Sequence, residues 1–584
     1  MRHHILRSAV FAGAAALTIT ELLSPFHLLK VWPLGIAWLL AITAWVRWRP
    51  RGPVSWHIRP VEAGVAAITA AIAGVVAWTA ILSPPNSADA MAYHLPRVVY
   101  WAQSGSVAFF PTPYLNQIML QPLAEYFMLH TYVLSGGDRL INLVAFAAYA
   151  GSIVGVSAIA AALGLNTRSQ AWAALFCATL PNAILQGSGA KNDFLLAFWL
   201  VCAVYFAARR DAPWLALSAA LALGTKRTAY LFLPPLLLYA AVVLPRRQLA
   251  WIAGAICILN GPQYARNLRL SGSPLGFDSA QGNGVFRWRN EHLTWQPAVS
   301  NILRHTSEQL GARSPHWNQS VYDAVLRIHR AFGIDPDSRD TTWPGAQYAP
   351  PVNANHEANA NGRWHLLLIA CAAILAAATR NREWTLYAAG LLAAFLLFCL
   401  YLKWQPFLAR LELPLFVLGA PLAAFLVDKL RYPAATVLLA LFLANNARPA
   451  LFQNWTRPLK GPHSLSATAR DNNYFRDMGQ WNNRASYLES VDRTARSGCT
   501  DVGLDISENQ LEYPFQALLR ERNPHVRFVH TGVVNASARY AASNSPPPCA
   551  VLCPDCIGNQ QKIALYREVG PPIEIGRFLL FLRN

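Results

Sequence analysis

The chain has 584 residues, 54% of them hydrophobic and 14% charged, with a formal net charge of +19. A composition this apolar excludes a water-soluble globule, and runs long enough to cross a bilayer recur from the N-terminus to about residue 447. The positive charge sits mostly in short loops between those runs, while 266–363 and the tail after 450 are near balance, so the excess reads as a positive-inside pattern and excludes a nucleic-acid footprint.

The opening Met1-Arg-His-His-Ile-Leu-Arg7 and the Ala-rich run after it resemble a secretory signal. Glu21 interrupts the run, no convincing cleavage site precedes Pro25, and a second span follows at once, so a retained helix is expected. Spans are predicted at about 5–23, 29–48, 60–82, 139–163, 169–186, 194–208, 213–224, 229–244, 249–262, 364–378, 384–402, 411–427 and 432–447. The loops that alternation makes cytoplasmic carry Arg47, Arg49, Arg51 and Arg59, then Arg168, Arg209 with Arg210, Arg246 with Arg247, Arg380 with Arg382, and Lys429 with Arg431. All are basic. The expected fold is therefore mainly α, a polytopic membrane protein of about thirteen transmembrane helices with a cytoplasmic N-terminus.

On the opposite, external side the loop 83–138 collects Asp89, Tyr93, His94 and Arg97 within a few residues of an apolar run. A carboxylate, an imidazole and a guanidinium are costly at the mouth of a span and point to a site. The rest of that loop is aromatic and Pro-rich, expected to lie along the membrane surface, with Glu125 as a surface or capping residue. A second external turn holds Lys191, Asn192 and Asp193; Asp193 reads equally as a helix-start carboxylate and as an acid facing a pocket. Lys226 and Arg227 join two apolar runs with no hydrophobic reason to be there. The Trp-rich loop 264–363 opens on Arg266 and Asn267 and closes near His356-Glu357, two adjacent metal-ligand types without a spaced third. Lys403, Gln405 and Arg410 open a late span; Arg410 and Glu412, two apart on a helix, do not face each other, so Arg410 needs a partner elsewhere. Cations at external helix ends run against the positive-inside pattern. As a set they predict a cationic pocket that suits a phosphate.

The tail, 450–584, changes character. Residues 451–486 read as a polar connector; strands are expected at 502–506, 526–530 and 550–552, a helix at 511–521, and a closing hairpin from 563–568 and 578–583. This is a small α/β domain without a glycine-rich nucleotide loop or a nucleophile motif. Cys499, Cys549, Cys553 and Cys556 suit one or two disulfides in an oxidising compartment, with zinc binding as the weaker alternative.

Asp89 in the first large external loop, Tyr93-His94-Leu-Pro96-Arg97 after it, Lys191-Asn192-Asp193, Thr225-Lys226, Arg266-Asn267 with Gly272 and Pro274, and Gln405 through Arg410 to Pro414 together resemble the GT-C glycosyltransferases that use polyprenyl-phosphate donors, the broad group of protein O-mannosyltransferases and the lipid A aminoarabinose transferase. The resemblance covers about 1–447. It implies a transmembrane catalytic domain over 1–449 and an inner-membrane enzyme moving a sugar from a polyprenyl-phosphate donor to a lipid, glycan or protein acceptor on the periplasmic face. Asp89 would be its catalytic residue; Tyr93, His94, Arg97, Lys191, Asn192, Asp193, Lys226, Arg227, Arg266, Asn267, Lys403, Gln405 and Arg410 would bind substrate. Many members carry paired acids in that loop, whereas Ala90 follows Asp89 here, so no metal is assigned to the site; a divalent metal is the less favoured alternative, and no other cofactor is assigned. A transporter, flippase or polymerase of envelope polysaccharide intermediates is the alternative; a transporter would place acids and cations mid-helix with repeat symmetry, and none is read here.

Overall fold

The computed structural model describes all residues except 49–58, 478, 508–509, 542–546 and 584, together with the side chains of 239–243, 246 and 247. Arg49 and Arg51 therefore lie outside the described residues, as do the side chains of Arg246 and Arg247.

Long apolar helices open the chain: α1 (Arg2–Leu23), α2 (Val31–Trp48) and α3 (Pro60–Leu82). Helix α2 buries only Leu34 and turns Trp32, Ile36, Leu39, Leu40 and Trp48 outward. An apolar outer face of this kind is solvated by lipid tails. The loop 83–138 folds as short helices, α4 (Leu95–Ser104), α5 (Asn116–Met119) and α6 (Leu123–Ser135). Then come α7 (Leu143–Ala162), α8 (Thr167–Thr179), α9 (Pro181–Gln186), α10 (Asp193–Ala208), α11 (Ala212–Thr225), α12 (Ala229–Val243) and α13 (Arg246–Ser271). The single span expected at 169–186 is two helices, because Pro181 lacks the N–H that would continue α8 and starts α9 instead. Helix α10 is buried on nearly every side, packed among α7, α11 and α18 (Leu413–Asp428), which makes it the axis of the bundle.

The loop 272–362 carries α14 (Trp295–Gln309) and α15 (Pro315–Ala331); α16 (Arg363–Ala378), α17 (Arg382–Tyr401), α18 and α19 (Pro433–Phe452) complete the apolar part. Among the described residues seven helices are long and apolar enough to cross a membrane, and four apolar helices are shorter. The architecture is multi-pass, without fixing the count at thirteen.

The tail adds α20 (Arg470–Asn473), α21 (Arg484–Arg496), α22 (Tyr513–Arg522), α23 (Gln560–Tyr566) and strands β1 (Asp501–Leu504), β2 (Arg527–His530), β3 (Ala550–Cys553), β4 (Pro572–Ile575) and β5 (Phe578–Leu582). The sheet order is β2-β1-β3-β5-β4, parallel from β2 to β3 and antiparallel beyond, with Val502 between Phe528 and Ala550. The hairpin partner expected at 563–568 is helical instead, and β4 takes its place across the turn at Gly576, where φ is +58°. Both cysteine pairs form disulfides, Cys499–Cys549 and Cys553–Cys556, which removes them as zinc ligands.

Candidate functional site

Helix α3 ends at Leu82, and the chain re-enters helical geometry at Asp89 through a wide π-helical turn, Ala90–His94, in which the Leu95 N–H reaches back to the Ala90 carbonyl. Such widened turns occur often at functional sites. The Asp89 carboxylate accepts a hydrogen bond from Arg410, which stands in the 3₁₀ turn Ala409–Glu412 that leads into α18. This is the partner that Arg410 lacked in its own helix. Beside the pair, Lys226 Nζ donates to Asp193 Oδ1 at 2.5 Å, and Lys191 Nζ lies 2.7 Å from Glu357 Oε1. Asp193 starts α10 and at the same time accepts from Lys226. Side-chain exposure separates the group: Asp89 is 22% exposed, Lys226 17% and Arg410 15%, whereas Asp193 and Lys191 are 3–4% and Glu357 is 1%. The opening is therefore at Asp89, Arg410 and Lys226.

Burial works against ionising Asp89, but Arg410 above all, helped by Lys191, His94 and Lys226, outweighs it and holds the carboxyl well below the usual carboxylate range. Glu357 behaves alike: burial opposes its charge, and Lys191 with Arg457 overcomes the penalty. The cations expected to line a pocket are therefore held in ion pairs. Each of Arg410, Lys226 and Lys191 faces an acid.

The polar connector turns out to brace this site. Asn86 donates to the Thr456 and Asn473 carbonyls and accepts from Arg457 NH1 at 2.9 Å; Ala88 N–H donates to Asp477 Oδ2 at 2.7 Å. Arg457 is fully buried. Its guanidinium also reaches Ser188 Oγ, the Leu185 carbonyl and Glu357, linking the Asp89 loop to the Lys191 turn. A Cβ at Gly189 would stand 3.3 Å from that guanidinium, so any larger residue there would crowd it. His356 Nε2 donates to Asp477 Oδ1 at 2.9 Å, and Glu357 binds Lys191 and Arg457; these partners account for His356-Glu357 without a metal ion. Sequence reasoning missed Asn86, Arg457 and Asp477 as a unit, and no local spacing could have found it, since the three meet across more than 370 residues.

Other expected site residues lie around this centre with partners of their own. Tyr93 packs its ring against His94 and Tyr114. His94 Nδ1 is 2.8 Å from Glu125 Oε1, and Arg97 NH1 donates to the same oxygen at 3.0 Å while its guanidinium stacks over Trp101. Glu125 is consequently a fully buried counter-ion, not the surface or capping residue expected, and Arg97 is enclosed beneath the loop. Arg266 closes on Glu21 and Tyr126, which explains the acid that interrupts the first apolar run. Arg227 donates to the Phe277 and Met119 carbonyls, Asn267 to the Met119 and Pro274 carbonyls, and Asn192 to the Thr225 carbonyl. Lys403 pairs with Glu291 at 2.7 Å, and Gln405 is buried with its carbonyl capping the turn at Leu408. A cavity of about 420 Å³ lined by His3, Arg7, Arg209, Arg210 and Asp211 lies at the far end of α10, a helix length of about 24 Å from Asp193, and is no part of this site.

No sequence-family model matches the chain, and no curated protein sequence does. Among solved structures, ArnT from Cupriavidus metallidurans in the apo state aligns with a TM-score of 0.50 at 14% identity, covering 89% of this chain and 98% of that one. The same protein bound to undecaprenyl phosphate aligns with a TM-score of 0.48 at 13% identity over the same shares. The fold of this chain is the GT-C fold seen in ArnT.

Proposed function

We propose that the chain is a membrane glycosyltransferase that moves a sugar from a polyprenyl-phosphate donor to a hydroxyl of a lipid, glycan or protein acceptor. The observation that carries this reading is the partly open Asp89–Arg410 pair, ringed by Lys226, Lys191 and Asp193, on a GT-C fold. Asp193 Oδ2 and Arg410 Nε are buried without a hydrogen bond among the described residues, so the site has bonding capacity left for a ligand. ArnT has been crystallised with undecaprenyl phosphate, and a lipid-linked phosphate of that class is the donor proposed here.

In the reaction, the acceptor oxygen attacks the anomeric carbon, the bond from that carbon to the phosphate oxygen breaks, and polyprenyl phosphate leaves. The acceptor proton passes to Asp89. A carboxylate clamped by Arg410 is a poor base, because its proton affinity is depressed. A dianionic leaving phosphate competes for the same guanidinium, and as Arg410 turns to it, Asp89 recovers basicity at the moment the proton must move. Arg410, Lys226 and Lys191 are the phosphate ligands of this scheme; Tyr93, His94, Arg97, Asn192, Arg227, Arg266, Asn267, Lys403 and Gln405 support them by fixing the surrounding loops. The Asp89 face is assigned to the periplasmic side of a bacterial inner membrane.

The test uses detergent-purified protein, with lipid extract from cells lacking it as the source of donor. Asp89→Asn should lower turnover about a hundredfold or more while leaving folding intact. Arg410→Lys should raise the donor KM more than the acceptor KM, since an ammonium cannot reproduce the planar fork. Near-normal turnover of the folded Asp89→Asn protein would overturn the assignment.

A further inference from the structure

Away from Asp89, the loop helix α14 presents His305 and Glu308, one turn apart on the same face, to Glu412 at the entrance to α18. His305 Nδ1 lies 2.9 Å from Glu412 Oε1 and 3.6 Å from Glu308 Oε2, and one ligand-type atom from each residue falls within 4.8 Å of the others. His305 and Glu412 are buried, and all three facing atoms lack a hydrogen bond among the described residues. At 2.9 Å the imidazole is close enough to Glu412 to bond, yet the donor direction misses the oxygen. Three ligand-type atoms this close together and unbonded to one another are what the surroundings of a common ion present.

The outward oxygens are held as metal-ligating carboxylates usually are. Glu308 Oε1 accepts from Trp404 Nε1 at 2.8 Å, and Glu412 Oε2 accepts from Gln309 Nε2 at 2.9 Å, whose own carbonyl oxygen is fixed by Gly362 N–H. The His305 ring is wedged edge-on against Phe398. Charge points the same way. Two carboxylates and one imidazole leave a buried excess of negative charge even when the imidazole is protonated, and the neighbouring Arg304 spends its bonds on Pro336, Asn301, Thr341 and Thr342 instead. A divalent ion with a neutral imidazole brings the trio to formal neutrality.

We propose that His305, Glu308 and Glu412 bind a divalent transition-metal ion of the zinc class, with one imidazole nitrogen and two carboxylate oxygens as protein ligands. Ligand separations of 2.9 and 3.6 Å are those expected around an ion with bonds of about 2.0–2.2 Å. The ion would pin α14 to the segment two residues after Arg410, so its role is to position the turn that carries Arg410. The tail cysteines, being disulfide-bonded, offer no competing thiolates.

The experiment is elemental analysis of tag-free, full-length protein purified in detergent without chelator or reductant, paired with melting curves after chelation and after adding back Zn²⁺ or Mg²⁺. About one equivalent of metal per chain is expected, with chelation lowering the melting temperature and Zn²⁺, not Mg²⁺, restoring it. Glu308→Gln, at the edge of the cluster and still able to accept from Trp404, should reduce bound metal at least about tenfold and abolish the Zn²⁺ response. Glu412→Gln should do the same; should it fail to fold, Glu308→Gln alone decides. Metal-free wild-type protein whose melting ignores Zn²⁺ would overturn the proposal, leaving a trio that shares protons. So would metal that persists undiminished in Glu308→Gln.

Discussion

Replacing Arg457 by Met removes the guanidinium on which the Asp89 loop and the Lys191 turn converge. Methionine fills much of the same volume, so the loss is chiefly electrostatic. It strips a partner from Asn86 Oδ1, Ser188 Oγ, the Leu185 carbonyl and Glu357, all within a buried setting, and leaves Lys191 as the remaining partner of Glu357. Breaking a buried ion pair from one side costs about 3–5 kcal/mol, because the abandoned charge stays desolvated. With an unfolding entropy of about 2.1 cal/mol/K per residue, 4 kcal/mol in a 584-residue chain that melts as a unit corresponds to a fall of roughly 3 °C. Arg457→Lys keeps the charge and loses the fork, so its effect should be intermediate. Intrinsic-fluorescence melting in detergent, run beside a transfer assay, reads both consequences, and activity should fall because Asn86 no longer fixes the turn at Asp89. An Arg457→Met protein with wild-type melting and wild-type turnover would refute the claim that this strap organises the site.

Acidification should act through the same residue. Glu357 has a lowered folded-state pKa, so the stability it contributes is complete above its unfolded value of about 4.3 and is lost as pH falls through the folded value; melting should be flat from about pH 7 to pH 5, and in Arg457→Met the acid limb should begin at higher pH. The Cys499–Cys549 disulfide spans 50 residues, and replacing both cysteines by Ser should destabilise the tail by about 4 kcal/mol on the chain-entropy account, against less than half of that for the Cys553–Cys556 pair; limited proteolysis of the tail measures the difference. A reporter active only in the periplasm should be active when fused after Asn584 and silent when inserted at Arg47, and the reverse pattern would invert the proposed side of catalysis.

The sequence by itself determined what local chemistry determines. Apolar runs, basic loops and the change of character near residue 450 declare a multi-pass bundle with a small α/β tail, and polar residues at helix ends single out Asp89, Lys191, Asp193, Lys226 and Arg410, because charge beside lipid is costly enough to stand out from its surroundings. Boundaries failed even where proline sets one, as at Pro181, which splits the span expected at 169–186, and where period and length compete, as at residues 563–568, whose apolar positions suit the helix α23 as well as a strand. The pairing of charges was not legible. That Arg410 meets Asp89, that Arg97 is spent on Glu125 and Arg266 on Glu21, and that Arg457 and Asp477 reach back from the tail to Asn86 and Ala88 are contacts between residues tens to hundreds apart. Only the tertiary structure decided them, because a buried charge takes whichever counter-ion the packing brings within reach, and a single chain carries no local trace of that choice.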